Sequence, residues 1–177
     1  VVYVTDNGWI QQENNPNYRM DSKQSPYDGG LRTPIMLRLP GKIAPRMDDN
    51  PVSSLDIAPT IYKVCGLPVP NGLNGVDLRD AKSVASRENV FGSCFLHNAV
   101  DIDKPEKNLT WRWCVNRQWK LIVPNPENAK GGIKVPGSPI VELYNIQDDP
   151  GETKNLASNN ADIVKKLTAS LDGWWKP

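Results

Sequence analysis

No stretch of the chain reaches the roughly 18 consecutive apolar residues that a membrane-spanning helix requires, so a helical membrane anchor is not expected within it. Basic and acidic residues nearly balance, at 21 and 20, and neither sign forms a run; the basic stripe of a nucleic-acid binder is missing. Cysteine is scarce. Cys65, Cys94 and Cys114 make an odd count with no Cys-x-x-Cys spacing, which excludes a paired-thiol metal or redox motif. A Cys94–Cys114 disulfide between neighbouring strands is one use of these thiols; buried free thiols acting as small hydrophobes are the other. There is a single histidine, His97, and neither an internal repeat nor a low-complexity tract. No signal-peptide pattern opens the chain. Val1 lies directly inside an apolar β-like run with no Met before it, so the natural start is expected upstream.

What is present suits a globular protein of one large domain or two small ones: 177 residues, 38% hydrophobic and 23% charged, with six Trp and five Tyr to build a core. Sixteen Pro and thirteen Gly point to many turns and long, shaped loops rather than a helical bundle. Val1–Thr5 is a continuous β-branched and aromatic run that stops at Asp6-Asn7-Gly8. Such a run predicts a central parallel strand buried on both faces, with the polar tripeptide at its carboxyl end, where open α/β sheets bind ligands. A polar, turn-rich loop spans Trp9 to Gly30, and loops of this length inside a domain tend to be functional. Thr33 to Leu39 reads as a strand closed by Pro40-Gly41, and Val52 to Leu55 as a short one. Asp56 is the predicted N-cap of a helix whose apolar positions Ile57, Ile61, Val64 and Cys65 follow a period of about 3.6, with Gly66 as the stop.

Beyond the loop-rich segment Pro68 to Ser86, taken as a boundary, the pattern changes. Val90–Phe95, Leu109–Val115, Trp119–Val123 and Val141–Asn145 are predicted strands, the middle two forming a hairpin around Asn116-Arg117-Gln118. Trp111, Trp113 and Val115 alternate with Arg112 and Cys114, so one face is expected to be apolar. Pro124 to Pro139 is a Gly/Pro-rich excursion. A last helix, capped by Ser158 or Asn160, carries the stripe Ile163, Val164, Leu167, Leu171 and Trp174. Strands followed by one amphipathic helix make a small α+β unit.

Four residues are candidates for chemistry. Asp6 and Asn7 offer hard oxygen donors suited to Ca²⁺ or Mg²⁺, and Gly8 would let the backbone turn so that both face one point; Asp-Asn-Gly is also an ordinary strand-ending turn. Lys23, beside Ser22 and Ser25, could neutralise an anionic oxygen or be a solvated surface lysine. His97, just past a strand, could be a general acid, a substrate contact, or structural. Asn108-Leu109-Thr110 is an N-glycosylation sequon, but it opens a strand and is not expected to be used.

The order of the pieces is more specific than any one of them. Val1–Gly8, then Lys23-Gln24-Ser25-Pro26-Tyr27-Asp28-Gly29-Gly30-Leu31-Arg32-Thr33-Pro34, then Leu39-Pro40-Gly41-Lys42-Ile43, and Leu55–Thr60 running into Cys65-Gly66-Leu67-Pro68, resemble the sulfatase family of the alkaline-phosphatase superfamily. Trp119–Ile122, Glu142–Asn145 and Asp148–Thr153 followed by Asn155-Leu156-Ala157 resemble its carboxy-terminal subdomain. The resemblance implies an α/β fold: residues 1–80 as the carboxy-terminal part of an alkaline-phosphatase-like catalytic domain, and residues 81–177 as a small α+β subdomain with a four-stranded antiparallel sheet and a C-terminal helix. It implies Asp6 and Asn7 as ligands of Ca²⁺ (or Mg²⁺), Lys23 as the lysine that holds a sulfate oxygen, and His97 as the residue nearest the variable part of a sulfated small-molecule or carbohydrate substrate. Arg32 stands in a motif-rich place, with an internal ion pair as its expected use.

Family enzymes hydrolyse sulfate esters with a formylglycine made from a Cys or Ser in a Cys/Ser-x-Pro-x-Arg motif. No Cys or Ser in this chain fits that motif, and the family's amino-terminal acidic ligands have no match either. The nucleophile is therefore expected outside the chain, in a missing amino-terminal half of the same protein, and the chain alone is expected to be inactive. A periplasmic or extracellular setting follows from the family alone. Two rivals share the residues: a phosphodiesterase or phosphonate monoester hydrolase of the same superfamily, and a non-catalytic module whose Trp-rich strands bind carbohydrate.

Overall fold

The computed structural model describes residues 1–129 and 139–177; most of the Gly/Pro-rich excursion lies outside the described residues. The elements in chain order are β1 (Val2–Val4), α1 (Asp28–Leu31), β2 (Ile35–Leu37), α2 (Ile57–Val64), α3 (Ala81–Ser86), β3 (Val90–Phe95), β4 (Leu109–Asn116), β5 (Trp119–Pro124), β6 (Glu142–Asn145) and α4 (Ala161–Trp174), with short 3-10 turns at Ser54–Asp56, Pro105–Asn108 and Ala157–Asn159. The chain packs as two units: Val1–Thr5 with Pro34–Val90, and Asp6–Thr33 with Phe91–Pro177.

In the first unit β1 pairs antiparallel with β2, Val2 opposite Leu37 and Val4 opposite Ile35. Val1 and Arg38 extend the ladder through N–H···O bonds of 2.8 and 2.9 Å. The expected parallel strand buried on both faces is thus corrected: Val2, Tyr3 and Val4 are all exposed. A β-branched run specifies an extended backbone, but it does not say whether anything lies on the strand's faces.

The predicted strand at Val52 to Leu55 is instead the 3-10 turn Ser54–Asp56. Ser53 Oγ accepts from the Leu55 amide, and the Asp56 carboxylate reaches back to the Ser53 amide at 2.8 Å, a reciprocal capping box. Asp56 does not cap α2 with its side chain. Its fully buried carboxylate also accepts from the Val76 amide at 2.9 Å and from Arg87 Nη1 and Nη2 at 2.8 and 3.0 Å. The helix α2 ends where expected, with Gly66 at φ +71°. The loop-rich segment contains one more short helix, α3, whose N-cap Asp80 accepts from the Lys82 and Ser83 amides.

In the second unit the sheet order is β3-β4-β5-β6. Asn116 pairs with Trp119, so the hairpin turn is the two residues Arg117-Gln118, with Arg117 at φ +52° as tight hairpins require. On one face Cys114, Leu121 and Leu143 pack with Leu167 and Leu171 of α4, confirming the expected stripe, and Trp174 stacks on Phe91 at 5.4 Å. The other face carries Ile122 and Tyr144, covered by Tyr27 with Trp111 and Trp113 against them.

Both faces of the sheet are therefore covered, which corrects the single apolar face. Arg112 is buried on the α4 side, where its Nη1 donates to Asp172 Oδ1 at 2.9 Å and to the Trp175 carbonyl at 2.5 Å. Asn160 stands at the N-cap of α4, but its side chain donates to the Leu156 carbonyl instead of capping. Asn108 of the sequon is buried, holding the Val100 amide and the Asp101 carbonyl at 2.5 Å each.

No disulfide joins the cysteines among the described residues, so Cys94 and Cys114 are not paired, and Cys65 is exposed rather than buried. Burial pushes the Cys94 thiol up to about 11 and the Cys114 thiol to about 12. A thiol-disulfide reagent at neutral pH is expected to titrate one cysteine in the native protein and three in denaturant; three fast native thiols would contradict the packing. Asp56→Ala strips Arg87 of its buried partner and is expected to cost about 3–5 kcal/mol in chemical denaturation; a loss below about 1 kcal/mol would show that the cluster is not buried in solution.

Candidate functional site

The turn after β1 is fastened to the far end of the following loop. The Gly8 amide donates to the Gly30 carbonyl at 2.8 Å, and the Ile10 amide to Ser22 Oγ at 2.7 Å. Ser22 Oγ in turn donates to the Gly29 carbonyl at 3.3 Å, and Ser25 Oγ to the Ser22 carbonyl at 2.6 Å. The approach is too close for side chains. A Cβ on Gly8 would lie 2.3 Å from the Gly29 oxygen, and one on Gly30 would lie 2.0 Å from the Ser22 oxygen. Gly8 is therefore needed for close approach, not for a left-handed torsion, since its φ is not positive. Through this knot the Asp6-Asn7 turn and the loop segment that carries Lys23 become one local structure.

Asp6 is exposed and its Oδ1 accepts from the Asn7 amide at 2.9 Å. Asn7 Nδ2 donates to the Gly8 carbonyl at 2.7 Å. That bond commits the amide nitrogen, and among the described residues no donor is placed on Asn7 Oδ1. Asp6 Oδ2 and Asn7 Oδ1, on which no donor is placed among the described residues, are hard oxygens that fit a Ca²⁺- or Mg²⁺-type cation. Among the described residues no cluster of three or more His, Cys, Asp or Glu is arranged to hold a metal, so these two would form only one side of such a site. Lys23 is half-buried, with no ion pair among the described residues. His97 is exposed, and its Nδ1 lies 3.1 Å from Nε2 of Gln24, the neighbour of Lys23. All four candidates thus fall in the second unit. Arg32 is exposed and makes no ion pair among the described residues, which corrects its expected use.

Sequence reasoning assigned no role to the residues that hold this loop in place. Lys120 of β5 is fully buried, its Nζ 2.6 Å from Asp28 Oδ1 and 2.8 Å from Glu152 Oε1. The Asp28 amide donates to Glu152 Oε2 at 2.7 Å. Next to it the Tyr27 hydroxyl lies 2.9 Å from both oxygens of Glu142, which also accepts from Tyr144. Burial, then the Glu142 carboxylate beside it, push the Tyr144 hydroxyl far above the usual phenol range. Glu152 reaches this point from a non-glycine residue at φ +51°. Burial raises its carboxyl above the ordinary value, and Lys120 opposes that rise. The sequence signal was a lone charge inside a strand of apolar residues: Lys120 between Trp119 and Leu121, and Glu142 between Val141 and Leu143.

The chain belongs to the family described as N-sulphoglucosamine sulphohydrolase, C-terminal, which matches residues 17–175. It is similar to a sulfatase of Formosa agariphila, 27% identical over 98% of this chain and 32% of that protein. Arylsulfatase K of Homo sapiens is 26% identical over 97% of this chain and 30% of its own length. The chain thus spans about a third of the length of these relatives. Among solved structures, a 2-O GAG sulfatase superposes with a TM-score of 0.70 at 22% identity, over 98% of this chain and 35% of that one. A sulfatase solved with D-glucosamine-2-N,6-O-disulfate gives 0.66 at 21% identity, over 97% and 33%. At these identities the structural likeness establishes the fold.

Lys120→Met leaves Asp28 and Glu152 buried without their cation, and an expected loss of about 3–5 kcal/mol follows. The loss has a pH signature. A carboxyl whose folded value lies above its unfolded one contributes stability below the unfolded value and loses it as pH rises through the folded one. Removing Lys120 pushes Glu152 further up, so Lys120→Met should be hurt more at about pH 8 than at about pH 5. Equal losses at both, by urea denaturation, would contradict the buried triad.

Proposed function

We propose that this chain is the carboxy-terminal part of a sulfuric ester hydrolase, in which Asp6 and Asn7 hold a divalent cation, Ca²⁺ or Mg²⁺, and Lys23 binds a sulfate oxygen. The observation that carries the reading is the glycine knot, which joins the Asp6-Asn7 turn to the Lys23 loop through the Gly8–Gly30 and Ile10–Ser22 bonds. In chain order residues 1–80 belong to the catalytic domain and 81–177 to the subdomain, although the strapped loop packs with the latter.

When bound, the cation supplies Lewis acidity, and a formylglycine from outside this chain supplies the nucleophile. What this chain's residues do is positional and electrostatic. Asp6 contributes a full negative charge and Asn7 a neutral oxygen to the cation. The Lys23 ammonium donates to a sulfuryl oxygen as charge builds on it. Its freedom from any ion pair among the described residues leaves its charge undiverted. His97, 3.1 Å from Gln24, contacts the alcohol portion of the substrate. Carbohydrate sulfates are favoured over aryl sulfates as the substrate class. An endo-4-O-sulfatase of Bacteroides thetaiotaomicron is 36% identical over 42% of this chain and 15% of its own length, and the structural neighbours include proteins named for glycosaminoglycan and glucosamine sulfates.

In the full-length protein, Asp6→Ala and Lys23→Ala are each expected to lower kcat/KM on a sulfated monosaccharide by roughly 10²–10³-fold. Excess Ca²⁺ or Mg²⁺ should recover part of the loss in Asp6→Ala and none in Lys23→Ala. Near-normal turnover in both variants would remove the assignment.

A further inference from the structure

The loop between the Asp6-Asn7 turn and Lys23 is not featureless. Gln11 pairs with Tyr18 in an antiparallel bridge, the Arg19 amide donates to the Ile10 carbonyl at 2.9 Å, and the Gln12 amide to the Asn17 carbonyl at 3.0 Å. Inside this small hairpin Gln11 Nε2 donates to the Asn15 and Asn17 carbonyls at 2.6 and 3.0 Å. Gln11 Oε1 accepts from the Trp9 indole N–H at 3.3 Å. The hairpin is braced by its own polar groups, and what it presents is aromatic. Trp9 remains 53% exposed, its ring centroid 5.0 Å from that of Tyr18 at a tilt of 59°. A large indole left this exposed on a self-braced turn is poised to contact something else.

A polar line continues from the aromatic pair. The Tyr18 hydroxyl donates to Gln24 Oε1 at 3.2 Å, and Gln24 Nε2 lies 3.1 Å from His97 Nδ1. The three groups fix one another. With Oε1 engaged by Tyr18, the Gln24 amide turns its NH₂ toward His97. Nδ1 is then the acceptor, and the neutral ring carries its proton on Nε2. His97 is exposed, so that N–H is available to an incoming acceptor.

We infer that Trp9, Tyr18, Gln24 and His97 form a sugar-recognition shelf, in which the Trp9–Tyr18 pair packs against a pyranose ring and His97, set in its Nε2–H form by Gln24 and Tyr18, donates to a ring hydroxyl. The inference rests on the sulfatase reading for the sulfate end of the ligand and extends it to the carbohydrate end. The shelf suits a sugar because it combines an aromatic surface for C–H faces with a few oriented hydrogen-bonding groups. A flat aryl sulfate would use the rings and leave the donor of His97 idle. Gln24 is a positioning residue here: it acts through His97, and Tyr18 acts through Gln24.

Two measurements test the shelf separately from catalysis. Long-range ¹H–¹⁵N spectra of protein labelled at histidine, with His97→Gln as the assignment control, report the tautomer directly. The neutral ring is expected mainly as Nε2–H, and Gln24→Leu and Tyr18→Phe should each shift the population toward the Nδ1–H form. A wild-type ring mainly in the Nδ1–H form, or one indifferent to both substitutions, would overturn the relay. Calorimetric titration of the full-length protein with a sulfated glycosaminoglycan disaccharide, and with inorganic sulfate, reads the ligand. Trp9→Ala should weaken the disaccharide roughly tenfold and leave inorganic sulfate unchanged, with Trp9→Phe in between. Unchanged disaccharide affinity in Trp9→Ala, or no disaccharide binding at all, would overturn the shelf. Failure of the sulfatase reading shows differently, as the absence of inorganic sulfate binding and of ester turnover while the histidine tautomer stays as described.

Discussion

A single buried ammonium organises the second unit. Lys120 projects from near the start of β5 into a place without solvent, where, among the described residues, the carboxylates of Asp28 and Glu152 make its charge tolerable. Asp28 ends the loop that begins at the Asp6-Asn7 turn, and Glu152 comes from the segment after β6. The ion triad therefore determines which part of the chain can cover that face of the sheet. Tyr27 follows from it. Once Asp28 is anchored, the neighbouring ring falls onto Ile122 and Tyr144, and its hydroxyl meets Glu142. A purely apolar contact of the same area would tolerate sliding. Paired buried charges do not, because a displaced carboxylate would lose its partner in a medium that cannot replace it.

The functional consequence is one of placement. A lysine that stabilises developing charge is useful only if held where that charge appears. Lys23 lies between two anchors: the glycine knot, where the Gly8–Gly30 and Ile10–Ser22 bonds close the loop on itself, and the Tyr27-Asp28 clamp on the sheet. Few of the residues that position Lys23 have chemistry of their own. The glycines supply nearness and the buried ions supply register, and the exposed Asp6 and His97 and the half-buried Asn7 and Lys23 remain available for ligands.

Much of this could be read from the residues. The strands β3, β4, β5 and β6 and the stripe of α4 showed in alternation and helical period, because each buries a regular set of side chains. The site candidates showed as polar residues after an apolar run and within a long loop, and the order of motifs gave the family. The misreadings share a cause: they depended on what lies across from a segment. Val2–Val4 looked like an interior strand, yet among the described residues it pairs only with β2 and leaves its side chains exposed. Arg112 looked like the polar face of β4 until Asp172 and the Trp175 carbonyl were placed beside it. Asp56 looked like a cap for α2, but its carboxylate serves Ser53, Val76 and Arg87, 31 positions away in the last case. The clamp of Lys120 was the least legible, since its partners lie 92 and 32 positions off and only the oddity of a charge within a strand hinted at it.

A sulfatase site on this chain requires Asp6, Asn7 and Lys23 to serve one ligand. The most direct measurement is a crystal structure of the full-length protein grown with Ca²⁺ and inorganic sulfate. The predicted result is a cation within about 2.3–2.6 Å of an Asp6 carboxylate oxygen and of Asn7 Oδ1, with Lys23 Nζ at hydrogen-bonding distance, about 2.7–3.2 Å, from an oxygen of the sulfate beside it. A cation held elsewhere, with Lys23 turned away from the sulfate, would contradict it.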